Sequence, residues 1–298
     1  MFSPEPGAMG VDDDTPIALL AFDHRERNFS SVRPTGMTDD EIRRSKELIF
    51  DAFEVVVEGG LHGVRPGIIV DEEFGAPLAR RAVESGIAVA MPVEKASQDV
   101  FTFEYGDAFR EHLREFRPAF AKALVRYRVT DPADHRRIQR ERLRELSDFV
   151  AGEPIALMLE LIVGQRADGP DAIPTVDVDG LCASMAELQD AGVHVDVWKV
   201  EGTSSQEDAA QIVAQARLAD ANARCVVLGA GAPRDTVSRW LDVSAATPGY
   251  GGFAIGRSIW GESIVAWLDG TRRREQAIEE IASTCRRWAQ QYVGERIR

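Results

Sequence analysis

The residues in this chain best equipped for chemistry are two lysines and a glutamate. The stretch Val195-Asp196-Val197-Trp198-Lys199-Val200-Glu201-Gly202 reads as a β-strand, dominated by branched and aromatic residues and closed by a glycine. Side chains alternate faces along a strand, so Val195, Val197, Lys199 and Glu201 share one side. A lysine among apolar neighbours loses hydration of its charged form, so its pKa falls and its amine becomes a nucleophile. Such an amine condenses with a ketone to a Schiff base, an electron sink for making or breaking a carbon–carbon bond. A strand-end lysine more commonly snorkels to solvent, so the neighbours decide between the two fates.

Those neighbours are Glu160, within the apolar run IALMLELIV, and Lys122, within FAKALVRY. Adjacent strands lie about 4.8 Å apart. Lys122, Glu160 and Lys199, on consecutive strands, would therefore fall in a row if their inward registers agree, with Glu160 between two ammonium groups. A Schiff-base enzyme needs this trio: an amine neutral enough to attack, a second cation holding down its pKa, and a carboxyl to move protons. The plainer alternatives are a carboxylate neutralised for structure alone and a Lys122 that faces outward.

A second cluster is made of small residues and an arginine. Gly229-Ala230-Gly231 and Gly256-Arg257 each stand just ahead of a helical segment. Backbone N–H groups with an arginine in such a place bind phosphate. Other strand ends carry Asp23-His24-Arg25, Asp71-Glu72-Glu73, Glu94-Lys95, Arg126 and Glu201. A lysine facing a phosphate grip implies a phosphorylated ketose or keto acid as substrate, with Glu94 and Lys95 placed to orient its other half, an ion pair between the two being the plainer reading. The competing chemistry is metal-assisted. Asp23, Asp71, Glu73 and Glu94 offer hard oxygens to Mg²⁺, but His24 is the single histidine at a strand end, too little imidazole for a zinc enolate mechanism. No cofactor and no metal are expected.

The elements that must position these groups are legible as apolar runs. Strands are expected over Ile17 to Asp23, Gly67 to Asp71, Ile87 to Glu94, Phe120 to Tyr127, Ile155 to Val163, Val195 to Gly202, Arg224 to Gly229 and Gly251 to Arg257. Helices are expected between them: Asp39 to Glu58 capped by Thr38, Pro77 to Ser85, Glu104 to Phe116, a charged helix from Pro132 to Val150, Val178 to Ala191, one capped by Ser204 or Ser205 and running to Asp220, Pro233 to Val243, and a closing pair at Glu262 to Leu268 and Arg273 to Tyr292. A polar loop runs through Pro174. Continuous apolar strands indicate a parallel sheet covered on both faces, and eight of them alternating with helices indicate an α/β chain folded as a (β/α)₈ TIM barrel. A doubly wound open sheet would want a glycine-rich dinucleotide turn after the first strand, and none is there. In a barrel the strand ends named above share one rim, where active sites lie, and loops seven and eight usually hold phosphate.

Composition narrows the rest. The 298 residues are 44% hydrophobic and 28% charged, enough for a real core in one domain, residues 15–298. A net charge of -14 argues against nucleic acid and against anionic membrane surfaces, and every apolar run is too short to span a bilayer. Cys182, Cys225 and Cys285 form no zinc or CxxC spacing, and an odd count without a secretion signal suits reduced thiols in a cytoplasm. Residues 1–14, with Pro, Gly and a run of Asp, read as a disordered leader. The expected partner is a small phosphosugar; a homo-oligomer is left open.

Taken together, AFDHRE, IIVDEEFGAPLARRA, AMPVEK, FEYGDAF, FAKALVRY, LELIV, DVWKVEG and FAIGRSIW resemble the class I aldolases of the tagatose-1,6-bisphosphate aldolase type. They look still more like the aldolase-like domain of bacterial inositol catabolism, which follows the sugar kinase in 5-dehydro-2-deoxygluconokinase fusions; the leader here is no kinase, so the likeness is to the aldolase-like unit alone. By that resemblance Lys199 is the Schiff-base lysine and Glu160 the proton-transferring carboxylate. Lys122 and Asp23 match the remaining polar members, and Arg257 the phosphate arginine. At strand seven the chain departs from the tagatose-bisphosphate pattern, with Gly229-Ala230-Gly231 in place of a Ser-Ala-Gly run. The implied reaction is retro-aldol cleavage of 6-phospho-5-dehydro-2-deoxygluconate to dihydroxyacetone phosphate and malonate semialdehyde. A ketose bisphosphate or sulfosugar phosphate, and a non-catalytic sugar-phosphate-binding barrel, are the alternatives.

Overall fold

A computed structural model describes residues 14–25, 32–33, 36–166 and 175–297. All but the last residue of the expected leader, and the loop through Pro174, lie outside the described residues. Eight strands, β1 (Ile17–Ala21), β2 (Arg65–Ile69), β3 (Ala88–Pro92), β4 (Phe120–Arg126), β5 (Ala156–Ile162), β6 (Val197–Glu201), β7 (Arg224–Leu228) and β8 (Tyr250–Ile255), pair in parallel and close into a barrel, each beside its sequence neighbours and β8 returning to β1. The helices α1 (Asp39–Glu58), α2 (Glu72–Glu84), α3 (Phe109–Phe116), α4 (Ala133–Val150), α5 (Val178–Asp190), α6 (Gln206–Ala216), α7 (Arg234–Ala245), α8 (Arg257–Leu268) and α9 (Arg274–Ile297) alternate with the strands. A short antiparallel hairpin pairs Gln165 with Val176 and Arg166 with Thr175 between β5 and α5. This is the (β/α)₈ TIM barrel that the run pattern implies. No helix of the described residues is long and apolar enough to cross a membrane.

The strands read as unbroken apolar runs because both of their faces are buried. Ile17, Leu19, Ala21, Ile69, Ala88, Ala90, Phe120, Met158, Val197, Val226 and Ala254 fill the barrel interior. The alternate residues, such as Ala18, Leu20, Ile68, Val89, Trp198 and Val227, pack outward against the helices. On five of the strands the inner row then changes character towards the C-terminal end. Ala21 gives way to Asp23, Phe120 to Lys122, Met158 to Glu160, Val197 to Lys199, and, past Pro92, Ala90 to Glu94. A side-chain period of two keeps those polar groups on the interior face, so an apolar plug supports a polar floor at the C-terminal end of the barrel.

Several local expectations are corrected. Helix α2 begins at Glu72, not Pro77, because the Asp71 side chain accepts the Phe74 N–H at 3.0 Å and caps it; Pro77 then sits in its second turn. The helix expected from Glu104 is a 3₁₀ turn at Gly106–Ala108 followed by α3, since Glu104 is held in a hairpin by its N–H to the Val93 carbonyl at 2.9 Å. Val195 packs in the outer core and does not share the row of Lys199; the strand starts at Val197, after Asp196 accepts the Leu157 N–H at 2.7 Å. Helix α8 starts at Arg257, not Glu262, which puts an N-terminus directly at the rim. Ser205, not Ser204, caps α6, accepting the Asp208 N–H at 3.2 Å, and Thr38 caps α1 in a full capping box with Glu41.

Candidate active site

Strand register places the central pair directly. Glu160 on β5 is the lateral partner of Lys199 on β6, and the Lys199 ammonium meets Glu160 Oε2 at 2.8 Å. Lys122 is the partner of Met158, not of Glu160, so the three do not form a level row. Lys122 starts one inward step deeper and reaches up, its Nζ 3.0 Å from the same Oε2. It also donates to Asp23 Oδ2 at 2.9 Å and to Glu94 Oε1 at 2.8 Å. Lys122 is 1% exposed, Lys199 4% and Glu160 8%. Three carboxylates thus close around one buried ammonium, and the central one also holds a second.

Burial disfavours every charge here, and the ion pairs decide which charges survive. For Lys122, burial pulls the pKa down, but Asp23, Glu160 and Glu94 outweigh it and hold the ammonium well above its usual range. For Asp23, burial pushes up while Lys122, Lys199 and His24 pull down harder, leaving the carboxyl far below ordinary carboxylates. Glu160 follows the same pattern, lowered by Lys122 and Lys199 against its burial. Glu94 goes the other way: burial raises it, and Lys122 and Arg25 only partly offset the rise. His24 is drawn down to about 4, first by burial and then by Arg257, Lys46 and Lys199 against the attraction of Asp23. It is therefore a neutral imidazole near neutral pH, standing edge-on to Trp260 with ring centroids 5.2 Å apart.

These groups open into a cavity of about 600 Å³ at the C-terminal mouth, a volume suited to a small metabolite. Asp23, Arg25, Glu94, Lys95, Lys122, Arg126, Glu160, Lys199, Glu201, Gly229, Ala230, Gly231, Gly256 and Arg257 all line it. On the β7–β8 side, Arg257 is the first residue of α8, half-buried and with its pKa lowered by burial, its Nη2 3.5 Å from the Ala230 carbonyl. Gly231 has φ +72°, and a side chain there would lie 2.9 Å from the Arg257 guanidinium. Gly256 lets the chain pass against β1, since a Cβ would lie 2.4 Å from the Ala21 carbonyl oxygen. The Ser258 hydroxyl donates to the Ala232 carbonyl at 2.9 Å and ties the two loops together.

The facing wall is the loop after β3. Lys95 N–H donates to the Thr102 carbonyl at 2.8 Å, and Phe101 N–H to Gln139 Oε1 at 3.0 Å. Arg25 is largely spent on bracing this wall, its Nη1 donating to the Glu94 carbonyl at 3.0 Å and to Glu104 Oε2 at 2.9 Å. Lys95 and Arg126 are exposed at the cavity edge.

Not every strand-end charge reaches the site. Asp71, Glu72 and Glu73 are absent from the cavity lining. Asp71 is buried as the α2 cap and pairs with the equally buried Lys46, and Glu72 meets His112 Nδ1 at 2.7 Å. The Mg²⁺ set of Asp23, Asp71, Glu73 and Glu94 is therefore dispersed, and where Asp23 and Glu94 do converge the Lys122 ammonium stands between them. Sequence reasoning left unassigned the wall residues Ser97, Gln98, Asp99 and Phe101, and gave no role to His24. His24 was findable, lying between two site residues; the loop carries no periodicity that could have flagged it.

The family described as an uncharacterized protein conserved in bacteria, DUF2090, matches residues 11–295. No curated protein matches the sequence. Among solved structures, a Plasmodium falciparum fructose-bisphosphate aldolase, crystallised with TRAP and a small-molecule inhibitor, superposes with a TM-score of 0.68 at 16% identity, covering 94% of this chain and 91% of that one. Cgl0159 from Corynebacterium glutamicum gives 0.61 at 16% identity, covering 93% and 86%. Both likenesses are of fold alone: the chain shares the (β/α)₈ TIM barrel with these proteins.

Proposed function

This chain belongs to the DUF2090 family of proteins conserved in bacteria, and we propose that it is a class I aldolase, an aldehyde-lyase working through a lysine Schiff base. The observation that carries the reading is the Lys199 ammonium 2.8 Å from a Glu160 oxygen that also holds Lys122 at 3.0 Å, on the floor of a metabolite-sized cavity. Lys199, as the free amine, attacks the substrate ketone. Glu160, in contact with that nitrogen, moves the protons that turn the carbinolamine into an iminium. Lys122 keeps Glu160 and Asp23 ionised and in place, and Asp23 accepts from substrate hydroxyls. Arg257, the N-terminus of α8 and the Gly229–Gly231 loop take the phosphate.

The substrate that fits is a phosphorylated keto sugar or keto acid, first 6-phospho-5-dehydro-2-deoxygluconate, cleaved to dihydroxyacetone phosphate and malonate semialdehyde. The likeness to a fructose-bisphosphate aldolase favours a ketose bisphosphate as the second choice, with a sulfosugar phosphate tested beside it. Incubating the protein with each compound and following dihydroxyacetone phosphate tests the reading. Release from the keto acid, undiminished by a chelator, is the expected result; binding of every candidate without cleavage would make the barrel a sugar-phosphate sensor. Within this scheme Arg257→Ala is expected to raise KM roughly 10- to 100-fold with a much smaller change in kcat, the scale of a lost charge-assisted hydrogen bond. Steady-state kinetics at varied substrate checks it.

A further inference from the structure

We infer that Glu94 is a further catalytic residue: its carboxylate takes the proton from the substrate hydroxyl whose carbon leaves as the aldehyde, then returns that proton to the enamine carbon. The inference rests on the aldolase reading above.

Glu94 lies two residues past the end of β3, bridged to Phe103 and four residues beyond the inward Ala90, and lines the cavity. Its Oε1 is held by Lys122 at 2.8 Å. Its Oε2 is buried and meets no hydrogen-bond partner among the described residues. A buried carboxylate oxygen left without a protein donor is costly unless a ligand supplies one. The group is also rigidly presented, because Arg25 grips its main-chain carbonyl at 3.0 Å and anchors the same loop through Glu104 at 2.9 Å.

Two of the three carboxyls around the Lys122 ammonium therefore stand in opposite circumstances. Glu160 faces Lys122 and Lys199 and stays ionised beside the nucleophile. Glu94 faces Lys122 and Arg25 but also Asp23, and burial leaves it a stronger base than an ordinary glutamate. Paired groups whose environments push their affinities for a proton apart divide acid and base duties between them.

With the ketone held as an iminium on Lys199, Glu94 accepts the hydroxyl proton. The O–H electron pair becomes the second bond of the aldehyde carbonyl, the carbon–carbon bond breaks, and its pair moves into the iminium to leave a neutral enamine. Once the aldehyde departs, the protonated Glu94 delivers its proton to the enamine carbon and the iminium is restored for hydrolysis. Nothing is oxidised or reduced, and Glu94 ends as it began.

Dihydroxyacetone phosphate alone, in D₂O, reports this transfer in reverse as loss of a hydroxymethyl-carbon proton signal by NMR. Wild-type protein is expected to exchange that hydrogen, at a rate that rises with pH as Glu94 ionises. Glu94→Gln is expected to exchange at least about 100-fold more slowly and without that pH limb, while borohydride still couples dihydroxyacetone phosphate to Lys199; Glu94→Asp keeps part of the rate. Exchange by Glu94→Gln at the wild-type rate and pH profile would overturn the assignment of Glu94 alone. Absence of any coupling in the wild-type protein would overturn the aldolase reading beneath it.

Discussion

Replacing Lys199 by Met is expected to lower carbon–carbon cleavage by on the order of 10⁶-fold, the scale seen when the nucleophile of a covalent mechanism is removed. Methionine has nearly the same reach and leaves Glu160 paired with Lys122 at 3.0 Å, so the barrel is expected to keep its fold and its grip on phosphate. A rate assay run beside circular dichroism and a phosphate-competition measurement separates the two effects. Retention of more than about a hundredth of wild-type turnover in a folded Lys199→Met protein would show that the amine is not the covalent partner.

Lys122→Met is expected to cost roughly 3–5 kcal/mol of stability as well as activity, because it leaves carboxylates buried without their cation. Asp23, Glu94 and Glu160 all bond to this one ammonium. The sign of the pH dependence follows from their shifts. Asp23 and Glu160 sit below the ordinary carboxylate range in the native protein, so their contribution is present above about pH 4 and lost as pH falls through their native values. Lys122 sits above the ordinary lysine range, so its contribution is present below about pH 10 and lost as pH rises beyond. Without Lys122, burial governs Asp23 and Glu94, whose native pKa values rise. The variant should therefore gain stability relative to wild type as pH drops from 8 towards 5, the range in which those carboxyls take up protons. Urea unfolding at several pH values measures this; a deficit independent of pH would mean that Lys122 acts through packing alone.

How far the sequence discloses this site depends on what each residue's neighbours are. Lys199, Glu160 and Lys122 interrupt apolar strands, where a charge stands out and the period of two fixes its face. Register does not follow from periodicity: a level row of Lys122, Glu160 and Lys199 requires their registers to agree, and Lys122 instead pairs with Met158. Asp71 ends an apolar run much as Asp23 does, yet it is turned into a helix cap and an ion pair by Lys46, a residue buried on α1 amid charged neighbours that marks nothing in the sequence. The wall from Glu94 to Phe101 is a loop held by Arg25, Gln139 and Arg142, partners 38 to 69 positions away and visible only once the chain has folded. The plan of the barrel is local information; the shape of its mouth is not.

The covalent claim meets its most direct test in the protein itself. Incubation with dihydroxyacetone phosphate, reduction with borohydride and peptide mass mapping should find the reduced three-carbon phosphate adduct on the peptide containing Lys199 and on that side chain. An unmodified Lys199, or an adduct carried instead by an exposed lysine such as Lys95, would contradict it.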